Sequence, residues 1–110
     1  MTPALLTVLS ALLGCYSEAD FAEAFWEAQC EQVLTCYDDA SRELLQYEDT
    51  AGCLAHNADS IEATRAQVEA EDCTYDAQQA QVCVDELAGA SCEDFLAASY
   101  SASCEVVCEP

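Results

Sequence analysis

The chain has 110 residues, 22 of them acidic and only two basic, Arg42 and Arg65, which leaves a net charge of −20. No basic footprint exists to neutralise phosphates, so nucleic-acid binding is excluded as a class, and so is electrostatic attraction to an anionic membrane. Nine cysteines in so short a chain point instead to covalent staples around a small core.

The first element is the apolar run Ala4 to Leu13, which closes with Leu12-Leu13-Gly14-Cys15. A membrane-spanning helix needs roughly 20 apolar residues, and here acidic Glu18 and Asp20 follow after about half that length. The short apolar segment, the small residue before the cut and the cysteine after it together resemble a bacterial lipobox. That resemblance implies that residues 1–14 are a lipoprotein signal peptide, removed on export. It also implies a diacylglyceryl thioether on Cys15 and a fatty acyl group such as palmitate on its amine. Residues 15–110 then form one cysteine-rich domain, lipid-anchored at its first residue. Tyr16 stands where an Asp would retain such a protein at the inner membrane, which implies the outer membrane instead.

From Asp20 to about Asp39 the positions Ala22, Trp26, Cys30, Val33, Leu34 and Tyr37 recur at helical spacing, with Phe21 and Phe25 widening the stripe. Ser17 and Asp20 form a capping pair at its start. Glu23, Glu27 and Glu31 lie four apart in an acidic row whose like charges repel, so packing must hold this helix. Trp26 and Phe25 read first as core and second as a ligand platform. Ser41 to Tyr47 predicts a short helical turn, and Asp49-Thr50-Ala51-Gly52 a break before a second helix. That helix carries Leu54, Ala58, Ile61, Thr64 or Arg65, and Val68 in a weaker stripe and stops near Glu71-Asp72, with His56 and Asn57 off the stripe and exposed.

Cys73-Thr74-Tyr75-Asp76 reads as a turn into a third helix capped by Asp76 and Gln79, with Ala80, Cys83, Val84 and Leu87 on its buried side and Gly89 as its stop. Ser91 and Asp94 cap a fourth helix bearing Phe95, Leu96 and Tyr100. In the tail, Cys104 and Cys108 fall on one side of a helical turn. Nothing alternates as a strand for long, so the expected fold is an all-α, disulfide-stapled bundle of about four helices.

With Cys15 assigned to the lipid, Cys30, Cys36, Cys53, Cys73, Cys83, Cys92, Cys104 and Cys108 form an even set suited to four disulfides in an oxidising compartment. A zinc site needs paired short spacings, which are missing, and His56 is the only histidine, so no metal or other cofactor is expected. Eight cysteines can pair in about a hundred ways. Antiparallel helices favour Cys36 with Cys53, and Cys73 with Cys104 or Cys108.

Cys15 after the lipobox, Phe25 to Cys30 followed by Cys36, and Cys73-Thr74-Tyr75-Asp76 to Cys83 with Leu87 and Cys92 together resemble the small cysteine-rich helical lipoproteins that myxobacteria and their relatives encode in many divergent copies. The resemblance implies location and architecture, and no activity. The functional expectation is a non-catalytic envelope lipoprotein, a structural or protein- or ligand-interaction module, whose partners are the membrane through its anchor and an envelope protein. Two alternatives stand beside it: a redox or other enzyme using one of the cysteines, and low-affinity cation binding by the acidic surface.

Overall fold

The computed structural model describes residues 16–99 and 102–109. The lipobox, Cys15 and Tyr100 lie outside them. The fold is all-α and disulfide-stapled: α1 (Glu18–Cys36), α2 (Asp39–Leu45), α3 (Thr50–His56), α4 (Ala58–Glu69), α5 (Ala77–Gly89) and α6 (Cys92–Leu96), then a 3-10 turn (Ala102–Val106). Two short strands, β1 (Thr74–Tyr75) and β2 (Cys108–Glu109), pair antiparallel, with Tyr75 opposite Cys108.

Five of the six helices among the described residues start where a short polar side chain accepts one of the first free backbone N–H groups, and α4 starts without such a bond. Ser17 accepts from the Asp20 amide at 3.2 Å, Asp38 from Ser41 at 2.8 Å, Asp49 from Gly52 at 2.8 Å, Asp76 from Gln79 at 3.0 Å and Ser91 from Asp94 at 3.1 Å. At the end of α2, Gln46 takes the left-handed conformation and turns the chain.

α1 is the central element, and it has two buried faces where a single stripe was expected. At about 100° per residue, Phe21, Ala28 and Gln32 fall in one sector and Ala22, Cys30 and Val33 in another; all six are buried. α5 packs on the first sector, and α4 and α3 on the second. Glu23, Glu27 and Glu31 fill the remaining arc and face water. The helix is therefore held from both sides, which offsets the repulsion along its acidic row.

Gln32 joins these faces to the end of α5. Its side chain is 7 % exposed, and its amide nitrogen donates to the Leu87 carbonyl at 2.8 Å and to the Ala90 carbonyl at 2.9 Å. Those carbonyls stand at the end of α5, where the Leu87 carbonyl also accepts a long bond of 3.4 Å from the Ala90 N–H. Gln32→Met, similar in volume but unable to donate, should therefore cost about 1–3 kcal/mol, the usual cost of leaving buried carbonyls unsatisfied. Urea unfolding of the oxidised protein measures this directly.

The expected second helix is two helices, broken at Asn57. The Asn57 side chain donates to the Cys53 carbonyl at 2.8 Å and to the Tyr47 hydroxyl at 3.0 Å, and such side-chain bonds compete with a continuous helix. Asn57 is accordingly half-buried, not exposed as expected, whereas His56 is exposed. α6 ends at Leu96, which is 58 % exposed; Phe95 alone of that helix is buried, packed against Tyr37 with ring centroids 6.3 Å apart. Ala80, Cys83, Val84 and Leu87 form the buried side of α5.

Candidate functional site

The disulfides are Cys30–Cys53, Cys36–Cys92, Cys73–Cys108 and Cys83–Cys104. Cys36 does not meet Cys53, contrary to the expectation from antiparallel helices. α2 and its following loop return the chain to the middle of α1, so α3 meets Cys30. Cys36, six residues later, points about 120° away around the helix, toward α6. Cys73 takes Cys108, the second of its two expected partners. Cys30 and Cys53 are fully buried, so this staple lies inside the core and is shielded from solvent reagents.

The aromatic group near the start of α1 lines one concave feature. The Phe21 and Phe25 rings lie 5.9 Å apart, Trp26 stands edge-on to Phe25 at 5.8 Å, and Tyr75 stands edge-on to Phe21 at 6.2 Å. Trp26 is tied to α4 by its indole N–H, which donates to the Thr64 hydroxyl at 3.0 Å. It therefore works chiefly as a brace between two helices. Phe25 is different: it is half-buried and forms one wall of an open cleft of about 370 Å³, together with Phe21, Val68 and Val107. Gln67 and Glu105 add polar groups to its lining.

The volume is in the range of small-ligand sites, and the mix of apolar wall and few polar groups suits an apolar side chain or short acyl group. The Thr64 hydroxyl, also at the cleft, is engaged, since it donates to the Ser60 carbonyl at 2.9 Å while accepting from Trp26. This cleft was not visible in the sequence. Its walls come from α1, α4 and the C-terminal segment, which the Cys73–Cys108 and Cys83–Cys104 staples, the β1–β2 pairing and the Asp76 N–H donating to the Val107 carbonyl at 2.8 Å bring across.

Both arginines pair with acids. Arg65 reaches Glu23 at 3.1 Å and also Glu62, and Arg42 pairs with Asp39. The Arg65–Glu23 pair links α4 to the acidic row of α1, a long-range contact with no signal in the local pattern. Exposed pairs of this kind contribute at most about 1 kcal/mol each. His56 packs edge-on against Tyr47 with centroids 5.3 Å apart. Among the described residues, no group of three or more His, Cys, Asp or Glu is arranged to hold a metal ion.

The fold alters the ionisation of Asp38. The Ser41 backbone N–H and then the Ser41 side chain hold its carboxyl below the ordinary aspartate value; burial opposes them, and the Arg42 charge adds the smallest contribution. With the folded value depressed, the contribution of the charged cap is complete above the unfolded value, near pH 4, and disappears as pH falls through the lower folded value. The start of α2 should therefore loosen in that acidic window. A titration of the Ser41 amide NMR shift should follow Asp38 in the native protein and flatten in Asp38→Asn.

No family model matches the chain, and no curated protein or solved structure is significantly similar to it.

Proposed function

We propose that the protein is a lipid-anchored component of a bacterial cell envelope, held in the outer membrane through Cys15, whose helical domain is a non-catalytic structural or interaction module. The observation that carries this reading is the pairing of cysteines. Eight of the nine close four disulfides with one another, and the remaining one is Cys15, the cysteine that follows Leu12-Leu13-Gly14. Disulfides in this number fit an oxidising compartment, and a lipobox delivers a protein to one. The same pairing argues against a redox role for the domain, because a redox protein needs an accessible thiol or a labile short-spaced pair.

In this reading the cleft beside Phe25 receives an apolar group from an envelope protein or ligand, and the acidic surface disfavours contact with anionic polymers. The deciding experiment is the intact mass of the protein purified from its own membranes, before and after reduction. The expected species begins at Cys15, is heavier by a diacylglyceryl unit, and gains two hydrogens for each of four disulfides on reduction. A full-length chain with free thiols and no lipid would overturn the proposal.

A further inference from the structure

The residue that follows Cys15 is not part of a loose tether. The Tyr75 hydroxyl donates to the Tyr16 carbonyl at 2.6 Å and lies 3.4 Å from the Ser17 carbonyl. Tyr75 belongs to β1, which is clamped to β2 beside the Cys73–Cys108 staple, and its ring packs on Phe21 in the core. Ser17 caps α1 and thereby fixes the next step of the chain. The described domain is thus rigid up to the position adjoining Cys15, and adjacent Cα atoms are only about 3.8 Å apart.

Resting on the lipoprotein reading, we infer that the pole of the domain containing Tyr16, Ala19, Tyr75 and Ala77 is held directly against a lipid surface, with α1 directed away from it. These residues share one shallow depression with Glu18 and Glu69. Its two carboxylates make the pole a poor partner for anionic headgroups and a suitable one for zwitterionic headgroups, where the two tyrosines provide the amphipathic rings common at bilayer interfaces. α1 contains 19 residues and rises about 28 Å. Its far end is stapled to α6 through Cys36–Cys92, so α6 and its exposed Leu96 stand on the side turned toward partners.

The test uses lipidated protein in phosphatidylcholine vesicles containing a lipid with a nitroxide on its headgroup. In a Trp26→Phe background, a single tryptophan is placed by Ala19→Trp at the near pole or by Leu96→Trp at the far one. The polar layer of a bilayer is only about 5–7 Å thick on each side, so the probe at 19 should lose emission roughly twofold and the probe at 96 almost none. A ten-residue Gly/Ser spacer inserted between Cys15 and Tyr16, with an end-to-end reach of about 17 Å, should bring the loss at 19 down toward that at 96. Native Trp26, about 10 Å further along α1 than position 19, should lose less emission than the probe at 19. Equal quenching at 19 and 96, or quenching unaffected by the spacer, would overturn the orientation while leaving lipidation intact. A mass lacking the diacylglyceryl unit would overturn the lipoprotein reading and the orientation with it.

Discussion

Replacing Cys36 and Cys92 together by alanine should lower the unfolding free energy by about 4 kcal/mol, the largest loss expected from a single staple. The two residues are 56 apart in sequence, and closing a longer loop removes more freedom from the unfolded chain. Cys83 and Cys104 are 21 apart, for which the same relation gives about 3 kcal/mol. The native side of the balance points the same way. α6 has five residues, too few for a helix to persist without tertiary support, and Phe95 alone of them is buried. Without the staple, α6 loses its covalent tie to α1, while the packing of Phe95 against Tyr37 remains. Losses of this size are a large share of the about 5–15 kcal/mol that stabilises a typical domain. Urea unfolding of both double variants, followed by the fluorescence of Trp26, provides the measurement. A smaller loss for Cys36/Cys92 than for Cys83/Cys104 would contradict the argument.

The legible parts of the fold were those set by local chemistry. On α5, apolar residues three and four apart define one buried face, and Asp76 and Gly89 mark its ends; the structure places each of them accordingly. Ser17 and Ser91 likewise cap the helices they precede, because a side-chain acceptor three residues before a free amide is a local arrangement. What depends on distant contacts was less legible. The regular pattern of Ala22, Trp26, Cys30 and Val33 predicts a one-sided α1, yet Gln32, a polar residue, is buried by its bonds to α5. Helix order predicts Cys53 as the partner of Cys36, whereas the direction in which Cys36 leaves α1 sets Cys92. The β1–β2 pairing involves two residues on each side, too few to show alternation. The candidate cleft depends on Val107 meeting Phe21 and Val68, a juxtaposition created by tertiary staples and absent from any local pattern.

Under the lipoprotein proposal, Cys15→Ser should abolish stable membrane attachment while leaving the domain intact. The thioether forms at the cysteine sulfur, so the serine chain receives no diacylglyceryl group. Nothing else described in the molecule substitutes for it: no helix among the described residues is long and apolar enough to cross a membrane. A charge of −20 gives no attraction to anionic headgroups. The uncut apolar run Ala4 to Leu13 would remain, but it is about half the length needed to span. Its hold should therefore be reversible, much as a single acyl chain binds only marginally, at about 10⁴ M⁻¹. The native protein should stay with the membranes through an alkaline wash, and the variant should fall to roughly a tenth of that amount or less. Metabolic labelling with a fatty-acid analogue should mark the native chain and not the variant. The variant should still form all four disulfides, since none uses Cys15. Retention of the serine variant through the wash would place the attachment elsewhere in the chain or on a partner, and the acyl chains would no longer explain it.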